Sequence, residues 1–145
     1  SGKEKELDYL NRFPAYRKAF NFLKSEDACE AIKKISGYTY NYKCEHIVMT
    51  RAYWGSSVIP HIDSSNVEGN INMILFINAS QKTNSGNLGI WKDNEFKENI
   101  FKPKNLKNSC LMYDMSEDFY HGFEPMDFGA YRWAIGVKYT PINLA

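Results

Sequence analysis

Ile47-Val48-Met49-Thr50-Arg51-Ala52-Tyr53-Trp54, then Gly55-Ser56-Ser57, then Val58-Ile59-Pro60-His61-Ile62: two β-rich runs joined by a short turn decide how this chain is read. The same rhythm repeats downstream. Runs at Ile71–Ile77, Leu88–Trp91, Ser109–Tyr113 and Trp133–Tyr139 are rich in β-branched and aromatic residues, and Tyr38–Tyr42 precedes them. Asn84-Ser85-Gly86-Asn87 and Met126-Asp127-Phe128-Gly129 punctuate the runs as loops. Many short strands with frequent turns predict a mainly β sandwich or barrel. Working outward, helical spacing is confined to the first quarter, where Leu7, Leu10 and Phe13, and then Ala19, Phe20, Phe22 and Leu23, are apolar at mixed three- and four-residue spacing. Pro14 is placed to open a helix. Ser25 is placed to cap the next one, with Glu26 and Asp27 suited to its N-terminal dipole. Ala28, Ile32 and Ile35 line one face, and Gly37 ends the helix. The reading is one domain over 1–145, helical through 37 and β from 38, with the helices packed outside one sheet.

Composition excludes several classes. With 43% hydrophobic and 15% aromatic residues the chain has ample material for a core, so wholesale disorder is excluded. Eighteen basic and 17 acidic residues leave a net charge of +1 with no basic stripe, which argues against nucleic acid and anionic membrane as partners. The lysines from Lys82 to Lys107 read as a solvated face. Cys29, Cys44 and Cys110 form no CxxC pair and are odd in number, so reduced thiols buried as small hydrophobes are expected, in a cytoplasmic protein. No run is long and apolar enough for a membrane span, and the polar start lacks a signal-peptide core. Ser1-Gly2 resembles the scar left by a cleaved tag, which points to a piece of a longer protein.

The chemistry lies in the histidines. His61-Ile62-Asp63 ends a strand-like run, and residues two apart on a strand share a face. His61 and Asp63 are therefore expected to address one ion while Ile62 turns into the core. Ser64-Ser65-Asn66 follows as a turn, leaving the pair at an open sheet end. His121 supplies a second imidazole. Two imidazoles and one carboxylate leave three coordination positions free, the arrangement used by non-haem Fe(II) oxygenases. Arg132 then opens the apolar run Trp133–Tyr139, and a guanidinium entering such a run needs an anionic partner. His46 has no matching partner and reads as structural or surface.

Together these residues resemble the Fe(II)/2-oxoglutarate-dependent dioxygenases, in their prolyl-hydroxylase-like branch. The resemblance runs from about Ile47 to Tyr139. It rests on His61-x-Asp63, the strand Asn70–Asn78, the Ser85-Gly86-Asn87-Leu88 turn-and-strand, Cys110–Asp114 before Tyr120-His121-Gly122, and Arg132 beyond the second histidine. It implies a double-stranded β-helix of the jelly-roll type. It implies that His61, Asp63 and His121 bind Fe(II), and that Arg132 pairs with the distal carboxylate of 2-oxoglutarate. Tyr53 resembles a tyrosine the family places near the cosubstrate; Arg51 competes for that role, and one of the two is expected to line the site. The implied reaction consumes O2 and 2-oxoglutarate, hydroxylates a prolyl or other peptidyl residue or a free amino acid, and releases succinate and CO2.

Some positions depart from the family. Ala134 replaces the hydroxyl residue of an R-x-S or R-x-T motif, and Phe76 replaces a tyrosine; Asn72, alternating onto the same face as Phe76, is offered as compensation. Asp63 is retained, which disfavours the related halogenases. Trp54, Trp91, Tyr113 and Trp133 read as core or sheet-packing residues, with one or two as a substrate wall in the alternative. Asp114 is either a partner for a ligand imidazole or a plain loop carboxylate. The competing functional readings are a non-catalytic β-barrel module for a small acid or protein partner, and a cupin-like oxygenase without a keto acid.

Overall fold

The computed structural model describes residues 11–63, 67–79, 86–104, 107–116 and 118–142. The expectations placed on Leu7, Leu10, Ser64-Ser65-Asn66, Lys82 and Asn84-Ser85 lie outside them. Helix α1 (Pro14–Leu23) has Pro14 in its first turn, and α2 (Glu26–Ser36) is capped by Ser25, whose hydroxyl accepts from the Ala28 amide at 3.3 Å. Gly37 ends α2 with φ +77°, a conformation other residues adopt only under strain. No helix among the described residues is long and apolar enough to cross a membrane.

Eight strands follow: β1 Asn41–Tyr53, β2 Val58–His61, β3 Ile71–Ala79, β4 Gly89–Trp91, β5 Asn99–Phe101, β6 Ser109–Asp114, β7 Tyr120–Phe123 and β8 Tyr131–Ile142. They form two antiparallel four-stranded sheets, ordered β1-β8-β3-β6 and β2-β7-β4-β5. The chain crosses repeatedly between the sheets, which makes a double-stranded β-helix, a jelly-roll architecture. The expected runs Tyr38–Tyr42 and Ile47–Trp54 merge largely into β1, interrupted by a register shift between Cys44 and His46. Two strands were not expected. β5 is short and wholly exposed at a sheet edge, and β7 carries His121 and Gly122, neither a strong strand former.

The larger sheet has a distinct function on each face. Its outer face carries Ile71, Met73, Ile135, Val137 and Tyr139, packed against Leu23 and Ile32 of the helices. Tyr139 is fully buried there and its hydroxyl donates to the Leu23 carbonyl at 2.8 Å, tying the end of α1 to the sheet. Ala28 and Ile32 are buried as expected, but Ile35 is 68% exposed. The inner face packs Ala52, Phe76, Leu111, Tyr113 and Ala134 against Ile90 and Phe123 of the smaller sheet. Burying side chains of the Leu and Phe class on both faces contributes about 1.5–3 kcal/mol each. The three cysteines are free, as expected; Cys29 and Cys44 are half-buried, whereas Cys110 is exposed, contrary to its expected burial.

Candidate metal centre

The centre forms where β2 meets β7. In this ladder His61 lies directly opposite His121, while Val58 lies opposite Phe123. Three steps on β2 therefore match two on β7, which is a bulge. Pro60, which has no amide hydrogen to donate, falls inside it on an edge strand. Close contact of the two strands requires Gly122. A Cβ there would lie 2.5 Å from the Val58 carbonyl oxygen and 2.9 Å from Pro60 Cα, both rigid backbone. The result sets the imidazoles side by side, ring centroids 4.3 Å apart.

Asp63 lies just beyond the end of β2 and bridges them. One carboxylate oxygen is 3.6 Å from His61 Nε2 and the other 3.4 Å from His121 Nε2. Ligand atoms of the three residues all lie within 4.8 Å of one another. The expected grouping of His61, Asp63 and His121 is thus brought together in space. Ile62 does not enter the core; it is 39% exposed, because the strand has ended and the alternation with it.

The protonation chemistry suits a metal. His61 Nδ1 sits 3.0 Å from the Ile59 carbonyl, so the tautomer that satisfies this contact carries its proton on Nδ1 and presents the Nε2 lone pair to the centre. His121 is buried. Burial disfavours its charged form and the nearby His61 adds to that, against the Asp63 carboxylate, so its pKa falls below the ordinary 6.5. A neutral imidazole is the ligating form. Two neutral imidazoles and one carboxylate, with His61 half-exposed to approaching molecules, fit a divalent iron with open positions.

Tyr113, which the sequence offers as a packing or substrate-wall residue, has a polar role the sequence did not single out. Its hydroxyl donates to Asp63 at 3.2 Å and accepts from the Asn72 amide at 2.7 Å. Its ring lies against His121, centroids 4.7 Å apart. Burial pushes the phenol well above its ordinary range, and the Asp63 carboxylate raises it further, so it remains a donor. Asn72 and Tyr113 are direct partners across β3 and β6, a register that local sequence does not reveal. Asn72 lies on the inner face with Phe76 as expected, but its amide addresses Tyr113 and, at 3.5 Å, Asp63.

Arg132 enters the same interior. Its partners across the sheet are Ala52 on β1 and Ala79 on β3, two small residues that leave room for a guanidinium. It lies 4.0 Å from the centre of the Phe123 ring and 5.5 Å from that of Phe76, and donates to the Gly86 carbonyl. Among the described residues no carboxylate pairs with it. Burial pulls its pKa down to about 10, which leaves it charged at neutral pH. Phe123 is two residues beyond His121 on β7, so about 7 Å of strand separates the guanidinium's platform from His121.

Neither Arg51 nor Tyr53 reaches the centre. They lie on the outer face of β1, where the Arg51 guanidinium stacks over the Tyr53 and Trp133 rings, and Ala52 takes the inward position. Asp114 also faces away from the imidazoles, accepting from Tyr38 at 2.6 Å and from Ser116. Trp91 is buried core, whereas Trp54 is exposed and packs edge-on against Phe128.

The double-stranded β-helix is a fold this chain shares with solved structures. A 2OG-Fe(II) oxygenase family oxidoreductase from Burkholderia pseudomallei superposes with a TM-score of 0.68 at 11% identity, over 88% of this chain and 57% of that one. AviO1 from Streptomyces viridochromogenes Tue57 gives 0.62 at 13% identity, over 86% and 61%. A prolyl-4-hydroxylase from Pseudomonas putida gives 0.53 at 13% identity, over 77% and 60%. The chain therefore spans less than two thirds of the length of each of these structures. No protein-family model and no curated protein matches the sequence.

Proposed function

We propose that this chain is an Fe(II)- and 2-oxoglutarate-dependent oxygenase that hydroxylates a prolyl or other peptidyl residue, or a free amino acid. The observation that carries the reading is a pairing across one interior: three metal-type ligands at His61, Asp63 and His121, and a buried cation at Arg132 of the facing sheet, packed on the Phe123 ring two residues beyond His121. His61, Asp63 and His121 would hold Fe(II), which supplies the redox chemistry by which O2 and the keto acid are turned to hydroxylation, succinate and CO2. Arg132 offers two parallel N–H donors to a carboxylate, and the Phe76 and Phe123 rings keep water from competing for it. The carboxylate of Asp63 offsets part of the metal's charge. His61, half-exposed beside the exposed Ile59 and Ile62, leaves the centre accessible from outside, which suits a polypeptide side chain as substrate.

The test is Fe(II)-dependent conversion of 2-oxoglutarate to succinate, with 2-oxoglutarate binding to the Mn(II)-loaded protein measured by calorimetry. Arg132→Ala is expected to weaken that binding at least about tenfold, since removing one partner of a buried charged pair costs about 2–5 kcal/mol. Tight binding without succinate formation would instead identify a binding module. Binding indifferent to Arg132→Ala would remove the cosubstrate assignment.

A further inference from the structure

Asp63 has two carboxylate oxygens, and a metal with positions to spare for other ligands is best served if it takes only one. The interior supplies a means of arranging this. The Tyr113 hydroxyl donates to Asp63 Oδ2 at 3.2 Å. A hydroxyl has one proton, so with that proton spent on Asp63 its lone pairs face the Asn72 amide, which donates to it at 2.7 Å. The same Asn72 nitrogen is 3.5 Å from Asp63 Oδ2. The ring of Tyr113 is fixed independently, between His121 at 4.7 Å and Phe119 at 6.5 Å between centroids. The chain thus runs from a strand-anchored amide through a clamped phenol to one oxygen of the carboxylate. Asn72 and Tyr113 face each other across β3 and β6, so sheet register fixes their separation.

We infer that Tyr113 and Asn72 are positioning residues that hold Asp63 Oδ2 and so restrict Asp63 to one-oxygen metal ligation. This rests on the metal reading above. Hydrogen bonds to the outer oxygen of a ligating carboxylate orient it, and losing such a partner typically weakens metal binding about 10- to 100-fold. Oδ2 also lies 3.4 Å from His121 Nε2, so once freed from the phenol it would be able to turn toward a bound metal and offer both carboxylate oxygens to it.

The experiment is a Co(II) titration of the full chain, followed by visible absorption, for wild type, Tyr113→Phe, Asn72→Ala and the double variant. Tyr113→Phe keeps the ring and removes only the hydroxyl. It is expected to weaken Co(II) binding about tenfold and to lower the absorption per metal, since a chelating carboxylate raises the coordination number. Asn72→Ala, which leaves every ring in place, is expected to weaken binding about threefold by itself. The double variant should bind no worse than Tyr113→Phe, because the amide acts mainly through the phenol. Wild-type affinity and spectrum in Tyr113→Phe, or in Asn72→Ala, overturn the inference while leaving the metal reading intact. A wild-type protein that takes up no Co(II) removes both. A purely structural role would lower the thermal midpoint of the metal-free variants without altering the spectrum of the bound ion.

Discussion

Tyr113 and Asp114 are neighbours on β6, leave the strand on opposite faces, and each takes part in an Asp–Tyr hydrogen bond. On the outer face Asp114 accepts from the Tyr38 hydroxyl at 2.6 Å, the Ser116 amide at 2.8 Å and the Ser116 hydroxyl at 2.7 Å. On the inner face Asp63 accepts from Tyr113, with the Asn72 amide at the limit of contact, and two imidazole Nε2 atoms stand beside it. The first carboxylate is saturated by donors. The second is flanked by atoms that bear lone pairs once the imidazoles are neutral, and lone pairs facing a carboxylate make a gap suited to a cation. Identical residue types therefore do opposite work, and the difference lies in who donates.

The sharpest way to break the comparison is to remove each carboxylate. Asp63→Ala is expected to weaken Co(II) binding more than about 100-fold, beyond the loss seen for outer partners of a ligand. Asp114→Ala should leave Co(II) affinity within about twofold. Its effect should appear instead in urea unfolding, as a loss of about 1–3 kcal/mol from stranding the donors that now converge on it. A comparable metal defect in both variants would show that the two faces are not independent.

Gly122→Ala tests the geometry that brings the histidines together. The added methyl meets backbone of β2 at 2.5 and 2.9 Å, so the strands must part. Overpacking of this kind costs about 1–3 kcal/mol. Because His61 and His121 face each other across that ladder, Co(II) affinity should fall with stability. Retention of both would mean the bulge at Pro60 absorbs the methyl.

The contrast between faces also explains what was legible. His61, Asp63, His121 and Arg132 declare themselves by residue type: an H-x-D at a strand end and an arginine in an apolar run are chemically out of place without a partner. Six of the eight strands were equally visible, since they rest on local composition; β5 and β7 were not. Register and facing were not. In Ile47–Tyr53 both alternating sets contain apolar residues, so nothing local says that Ala52 points in and that Arg51 and Tyr53 point out. That choice is made by Arg132, whose side chain needs the space a small partner leaves. Tyr113 was equally hidden, because a tyrosine that packs and a tyrosine that orients a ligand look alike until the cross-strand partner is known. Gly122 gave no signal because its reason is a neighbouring strand distant in sequence.

The smallest effect is the most specific to the outer pair. Tyr38→Phe removes one donor from Asp114 and leaves His61, Asp63 and His121 untouched. Burial alone would raise the Asp114 pKa, but the hydrogen bonds from Tyr38 and Ser116 outweigh it and bring the pKa below the ordinary 3.8. A carboxylate with a depressed folded pKa adds stability above its unfolded value and loses it as pH falls through the folded one. Hydrogen bonds to charged groups are worth about 1.5–3 kcal/mol when buried. Asp114 is only half-buried, so screening reduces this to about 1 kcal/mol. Urea unfolding of wild type and Tyr38→Phe should therefore differ by that amount near neutrality, and the gap should close below pH 3.8 as Asp114 takes up its proton in both proteins. Co(II) affinity should not change. A gap that widened on acidification would mean that the tyrosine holds the protonated acid in preference to the carboxylate, and Asp114 would then resemble an unsatisfied group far more than its donors suggest.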